Sequence, residues 1–213
     1  HTRYIGDWSS DVCSSDLSTR VGSATDDASI ETASDSGDII VLTSAWGAVF
    51  GSSSGKEYLK TRHDTDELTL TRTTTFTFAR PVQPGSFSLS LADFDCDSAR
   101  VTATSDGSTA LTGAEIEGDP TASSFNADDP VGPGASVSAV ANRVGVTSPG
   151  GAPDDGVAAW LSPTKAVKTI TTVSAADGSC GTSSIRTWMA VIAHALSGTV
   201  KTSGTSGTAI SSA

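Results

Sequence analysis

Positive charge is scarce in this chain: 13 lysines and arginines stand against 24 aspartates and glutamates in 213 residues, a formal charge of −11. A nucleic-acid binder needs the opposite balance, so that class is excluded. Long apolar runs are missing too, and no stretch approaches the roughly 20 residues of a membrane-spanning helix. Three cysteines and three histidines form no Cys-x-x-Cys and no H-E-x-x-H, which excludes the common zinc-thiolate and zinc-protease patterns. Aromatic residues make up only 6%. What is abundant is hydroxyl: 34 serines and 29 threonines. With 37% hydrophobic residues, the length suits one ordinary domain with a real core.

The first 17 residues stand apart. His1–Leu17, HTRYIGDWSSDVCSSDL, is similar to one reading frame of a common short-read sequencing adaptor, with Tyr4, Ile5 and the start of Gly6 filling its index bases. Residues 1–17 are therefore expected to be adaptor-derived and not native. The alternative is a disordered N-terminal arm, and either reading removes them from fold reasoning. Without them 196 residues remain, with a charge of −9 and two cysteines, Cys96 and Cys180. The natural start, with any signal peptide, is expected upstream of the join.

Residues 18–37 are small, polar and acidic without an apolar period, and are expected to form a flexible lead-in. From Asp38 onward, short β-rich segments alternate with Gly, Pro, Asp and Ser clusters, which predicts an all-β, antiparallel β-sandwich over 38–196. Expected strands are 38–46, 67–79, 86–92, 99–105, 139–148, 156–162 and 166–174. In 67–79, Leu68, Leu70, Phe76 and Phe78 share one face and Thr69, Thr71, Thr73, Thr75 and Thr77 the other, so one face is core and the other wet. Phe87, Leu89 and Leu91 keep an odd phase while Phe94 and Cys96 are even, which predicts a bulge or bend near Ala92–Asp93. Residues 118–153 read as a long loop region holding one or two strands, where sandwiches usually bind. Segment 184–196, SIRTWMAVIAHAL, fits a helix face or a buried central strand; its β-branched residues and turn-rich flanks favour the strand. Residues 197–213 revert to Ser, Thr and Gly and are expected to be a linker or the start of a following β module.

A resemblance appears across these segments. FTFARPVQPGSFSLSLADFDCDSARVTATSDGS is similar to the F-x-F-s-x-P-V…F-x-l-x-D-i-D…V-x-V-x-a-x-d-G pattern of jelly-roll-like domains in large bacterial secreted and surface-anchored proteins. ALSGTVKTSG resembles the i-S-G-t-V opening of prealbumin-like or SdrD B-like modules that commonly follow them. The resemblance implies a jelly-roll-like architecture, a secreted or cell-surface setting, covalent continuity with other domains and a spacer or adhesion role.

Candidate chemistry is local. Asp93, Asp95 and Asp97 in DFDCD would project to one face at about 6.6 Å intervals if the stretch is extended. That pattern suits a hard cation such as Ca²⁺, with Asp106, Asp154 or Asp155 completing the shell; equally, the three splay into water or accept turn N–H groups. Cys96 and Cys180 form a candidate disulfide, worth roughly 4 kcal/mol for a loop of this size in the chain-entropy model, or are two separate small core residues. GSSSG (51–55) satisfies G-x-S-x-G around Ser53, yet the following KEYLKTRHDTDE is weakly helical at best and supplies no nucleophile elbow. His63, expected in a polar loop, and His194 lie in no ligand spacing. Beyond residue 17 the tryptophans are Trp46, Trp160 and Trp188; Trp160 and Trp188 sit in apolar context and read as core, whereas one exposed tryptophan beside Tyr58 would suit a sugar face. No catalytic residue and no cofactor is singled out. The expectation is a non-enzymatic structural or adhesion module with a surface or glycan ligand; the alternative is a carbohydrate-binding module, calcium-assisted if the aspartates converge.

Overall fold

The computed structural model describes residues 2–4, 17–22, 28–34, 40–63, 71–94, 96–129, 131–149, 156–176 and 183–192. In chain order these form β1 (Thr2–Tyr4), β2 (Leu17–Gly22), β3 (Ala28–Thr32), helix α1 (Ala45–Phe50), β4 (Glu57–His63), β5 (Thr71–Val82), β6 (Phe87–Ala92), β7 (Asp97–Thr104), helix α2 (Gly113–Glu117), β8 (Ser124–Asn126), β9 (Ser136–Val140), β10 (Arg143–Thr147), β11 (Val157–Leu161), β12 (Val167–Ala176) and β13 (Ser183–Ile192).

The strands make two sheets, ordered β3-β4-β13-β6-β11-β8, with β1 also on β13, and β2-β5-β12-β7-β10-β9. Every pairing is antiparallel. Numbering β4, β5, β6, β7, β10, β11, β12 and β13 as one to eight, the sheets read 1-8-3-6 and 2-7-4-5, the two-Greek-key order of a jelly roll. The expected antiparallel β-sandwich is therefore the fold.

Alternation explains the core between the sheets. Phe76 and Phe78 of β5, Val101 and Ala103 of β7, Ile170 of β12 and Ile185 of β13 all point inward and pack with Leu89 and Leu91 of β6. Their outward neighbours are mostly Thr and Ser, so one face of the six-stranded sheet is dry and the other wet. The seven-stranded sheet differs, because β6 is buried at all six positions. A second apolar layer covers its outer face: Ile40, Trp46, Phe50, Tyr58 and Trp188, with Trp160 packed against them.

That layer corrects the first expected strand. Its described part, residues 40–46, does not extend; Ser44 caps α1, its Oγ accepting the Gly47 N–H, and the helix buries Trp46 and Phe50. Trp46 is fully buried and donates its indole N–H to Ser88 Oγ at 3.0 Å, while Phe50 meets Trp160 edge-on at 5.6 Å.

Other differences have local causes. KEYLKTRHDTDE supplies strand β4, because it completes the slot beside β13. The expected strand 139–148 is a hairpin of β9 and β10, turning at Ala141 (φ 43°). The stretch 18–37, expected as a flexible lead-in, carries most of β2 and all of β3, which pair with β5 and β4. Segment 184–196 forms the central strand β13 over its described part. Residues 67–70 and the tail 193–213, with His194 and the SdrD B-like opening, lie outside the described residues.

Candidate functional site

The acidic turn after β6 does not build the single face that its i, i+2 spacing suggested. Asp93 adopts φ 70°, a left-handed conformation that Asp tolerates better than most residues, so alternation breaks where the expected bend lies. Its carboxylate accepts from Ser184 Oγ at 2.9 Å and pairs with the Arg186 guanidinium at 3.1 Å. Asp97 instead accepts from Ser183 Oγ at 2.7 Å. Ser183 and Ser184 are consecutive on β13 and point to opposite faces of the sheet. Asp93 and Asp97 thus part, one toward the α1 layer and one into the sandwich. Asp95, Asp154 and Asp155 lie outside the described residues. Asp106 sits in the turn after β7, where backbone N–H groups of Thr109 and Ser108, then their hydroxyls, hold its carboxyl well below the usual range. Among the described residues no three His, Cys, Asp or Glu groups converge on a metal position.

A polar layer lies between the sheets at the same end. His63 is not in a polar loop; it ends β4, is 3% exposed, and its Nε2 meets Ser174 Oγ of β12 at 3.0 Å across the sandwich. Arg72 lies opposite Ser174 on β5 and is equally buried. A histidine on a serine hydroxyl is the elementary contact of nucleophilic catalysis, yet here it is sealed between two sheets. Ser53 of the GSSSG segment is fully buried, and its Oγ accepts the Ile40 N–H at 2.8 Å, so it fastens the α1 segment. Cys96 is buried beside Asp97; Cys180 lies outside the described residues.

No described tryptophan offers an open ring. Trp46 and Trp188 are buried, Trp160 is half-buried against Phe50, and Tyr58 lies against Trp188 at 5.0 Å with its hydroxyl on Glu31. The aromatic platform expected of the alternative is therefore not built by these residues.

Among the described residues two open features stand out. One is a shallow cleft of about 700 Å³ where the β5–β6, α2–β8 and β11–β12 loops meet, edged by Pro84, Pro120 and Pro163. Gly118 holds φ 82° there, and a Cβ on it would strike the Ser162 carbonyl. Asp119 in the cleft is held below the ordinary carboxylate range by the Thr121 hydroxyl and then its N–H, so it serves the turn.

The other is the outer face of the six-stranded sheet. Thr73, Thr75 and Thr77 of β5 extend into a field with Thr169 and Thr171 of β12 and Thr102 and Thr104 of β7, all half-exposed. Thr75 and Thr171 share a hydrogen bond at 3.1 Å, and Thr104 bonds Thr169. Sequence reading found only the β5 stripe; the T-x-T pairs at 102–104 and 169–171 carry the same signal, and register joins them.

No family model matches the chain, and no curated protein matches it. Among solved structures, the chain is similar to the enzymatically active domain of tailspike protein 4 of bacteriophage CBA120, at 11% identity and TM-score 0.34, covering 84% of this chain and 20% of that one. It is also similar to the family 11 carbohydrate-binding module of the cellulosomal cellulase Lic26A-Cel5E of Clostridium thermocellum, at 8% identity and TM-score 0.31, covering 90% and 94%. The chain thus spans about a fifth of the tailspike domain's length and nearly all of the module's.

Proposed function

We propose that this sandwich is a non-enzymatic adhesion or structural module of a secreted or cell-surface protein. The observation that carries this reading is the asymmetry of the two sheets. The outer face of the seven-stranded sheet is covered by the α1 layer, whereas that of the six-stranded sheet presents hydroxyls over three adjacent strands. The ionisable groups that suggested chemistry serve structure: Asp93 on Arg186, Asp97 on Ser183, His63 on Ser174, and Asp106 and Asp119 in their turns. A face of this kind suits contact with an extended surface better than turnover of a small substrate, which needs a concave, water-excluding site.

The secreted setting rests on a Cys96–Cys180 disulfide. Support comes from the burial of Cys96 just before β7. Thiol titration of the unfolded, unreduced chain is expected to count no pair of free thiols from Cys96 and Cys180; finding both free overturns the secreted assignment. The module reading itself is tested by incubating the protein with insoluble bacterial and plant wall polymers. Retention on the solid without release of soluble sugar is expected, and release of reducing ends refutes a non-enzymatic role.

A further inference from the structure

We propose that the outer face of the six-stranded sheet docks an acidic polysaccharide of the polyuronate class, with Arg100 and Arg143 as its anionic-group receptors. The proposal rests on the adhesion reading and names the ligand of that module.

Register defines the face. Thr75 lies opposite Thr171, and Thr171 opposite Thr102. Arg143 continues that row on β10, one residue before Val144, which faces Val101. The row therefore spans the four strands β5, β12, β7 and β10, about 14 Å at the usual strand spacing. In the adjacent row Arg100 faces Gly145, which places Arg100 and Arg143 diagonally, about 7–8 Å apart at the backbone.

The sign of the face is opposite to that of the chain. Acids outnumber bases by 24 to 13 overall, yet no outward-facing residue of β5, β7, β9, β10 or β12 is an aspartate or glutamate. Arg100 and Arg143 are both exposed, and among the described residues neither has a carboxylate partner. An unpaired guanidinium offers a rigid fork of donors matched to a carboxylate, and the hydroxyls around it, each both donor and acceptor, match sugar hydroxyls. With no open aromatic ring among the described residues, little stacking is available for a neutral sugar. Arg100, Arg143 and the exposed Arg80 near the end of β5 are still too few for the broad neutralisation that a nucleic acid requires. The chain's negative charge elsewhere opposes a polyanion only within a Debye length, about 8 Å at physiological salt, so contact at this face survives and is salt-sensitive.

The test is affinity electrophoresis of the full chain in native gels containing polygalacturonate, neutral xylan or no polymer, with single-stranded DNA as a competitor. Retardation by polygalacturonate is expected, at least about tenfold weaker in the R100A/R143A double variant, a loss of about 1.4 kcal/mol. T75V/T171V is expected to weaken binding several-fold with an unchanged melting temperature, because both sites lie on the wet face. Failure of the full chain to bind polygalacturonate, equal retardation by xylan, release by DNA at equal mass, or full binding by R100A/R143A each overturns the proposal. Release of reducing ends from the same polymer overturns the non-enzymatic reading separately, while binding to xylan alone leaves the module reading standing and removes only the acidic ligand.

Discussion

Replacing Asp93 by Asn isolates one charge in a setting where its loss is costly. Asn tolerates the left-handed backbone that position 93 requires, fills the same volume and still accepts from Ser184. What it removes is the partner of Arg186, whose side chain is 12% exposed against 6% for Asp93. Breaking a buried ion pair at one end leaves a charge without compensation and costs about 3–5 kcal/mol. Arg186 keeps a further interaction, so the lower end applies. For a domain of this size about 3 kcal/mol corresponds to a fall of roughly 6–12 °C in melting temperature. Arg186→Met removes the charge and keeps an apolar stem, and in the D93N/R186M double variant no unpaired charge remains. The double variant is therefore expected to be more stable than the two single losses added together, with a coupling of about 1–3 kcal/mol. Thermal and urea unfolding of all four proteins measures it. A D93N protein melting within about 2 °C of the parent, or a cycle that is additive, refutes the claim that Arg186 is what neutralises this aspartate.

Three other expectations follow from the same structure. Trp46→Phe, which shrinks a fully buried side chain and orphans Ser88 Oγ, is expected to cost about 2–3 kcal/mol, read by urea unfolding; a neutral result places Trp46 outside the packed layer. Asp106 is held below its ordinary pKa, so its contribution is present above the unfolded value near 4 and is lost as pH falls. The stability difference between parent and Asp106→Asn is thus expected to be largest near neutrality and to shrink on acidification; a difference that grows below pH 4 contradicts the turn geometry. Deleting residues 1–17 is expected to shift melting by less than about 2 °C, whereas a fall beyond about 5 °C makes the β1 pairing on β13 part of the native fold.

Legibility in the sequence followed burial. Where one strand face is wet, as along Phe76–Phe78 of β5 and in β7, the alternation of apolar with hydroxyl or charged residues announces both the strand and its orientation. Where a third layer covers the sheet, the pattern fails: Ser88 and Ser90 of β6 read as a wet face, yet both are buried beneath the α1 segment. The helix itself was hidden because DIIVLTSAW is rich in β-formers, and only Ser44, three residues before Gly47, marks the cap. His63 and its neighbours look like a polar loop because their partners, Ser174 and Ser183, come from the distant strands β12 and β13. The aspartates show the limit most sharply, since Asp93 turns left-handed where the spacing assumes extended chain, and Asp93 and Asp97 then find partners on opposite faces. The arginines of the open face were legible as residues and illegible as a pair, because only register sets Arg100 beside Gly145.

Strand β13 lies between β4 and β6, although it is synthesised long after both. A ribosome releasing this chain from its N-terminus therefore exposes two unsatisfied strand edges facing an empty central slot until Ser183–Ile192 emerges. Such edges invite pairing with the wrong chain, and the loop closures needed to fill the slot are slow. Nascent chains of this sandwich should thus depend on a holding chaperone or a slow translocation step, and truncation before β13 should yield aggregates in place of a smaller folded core.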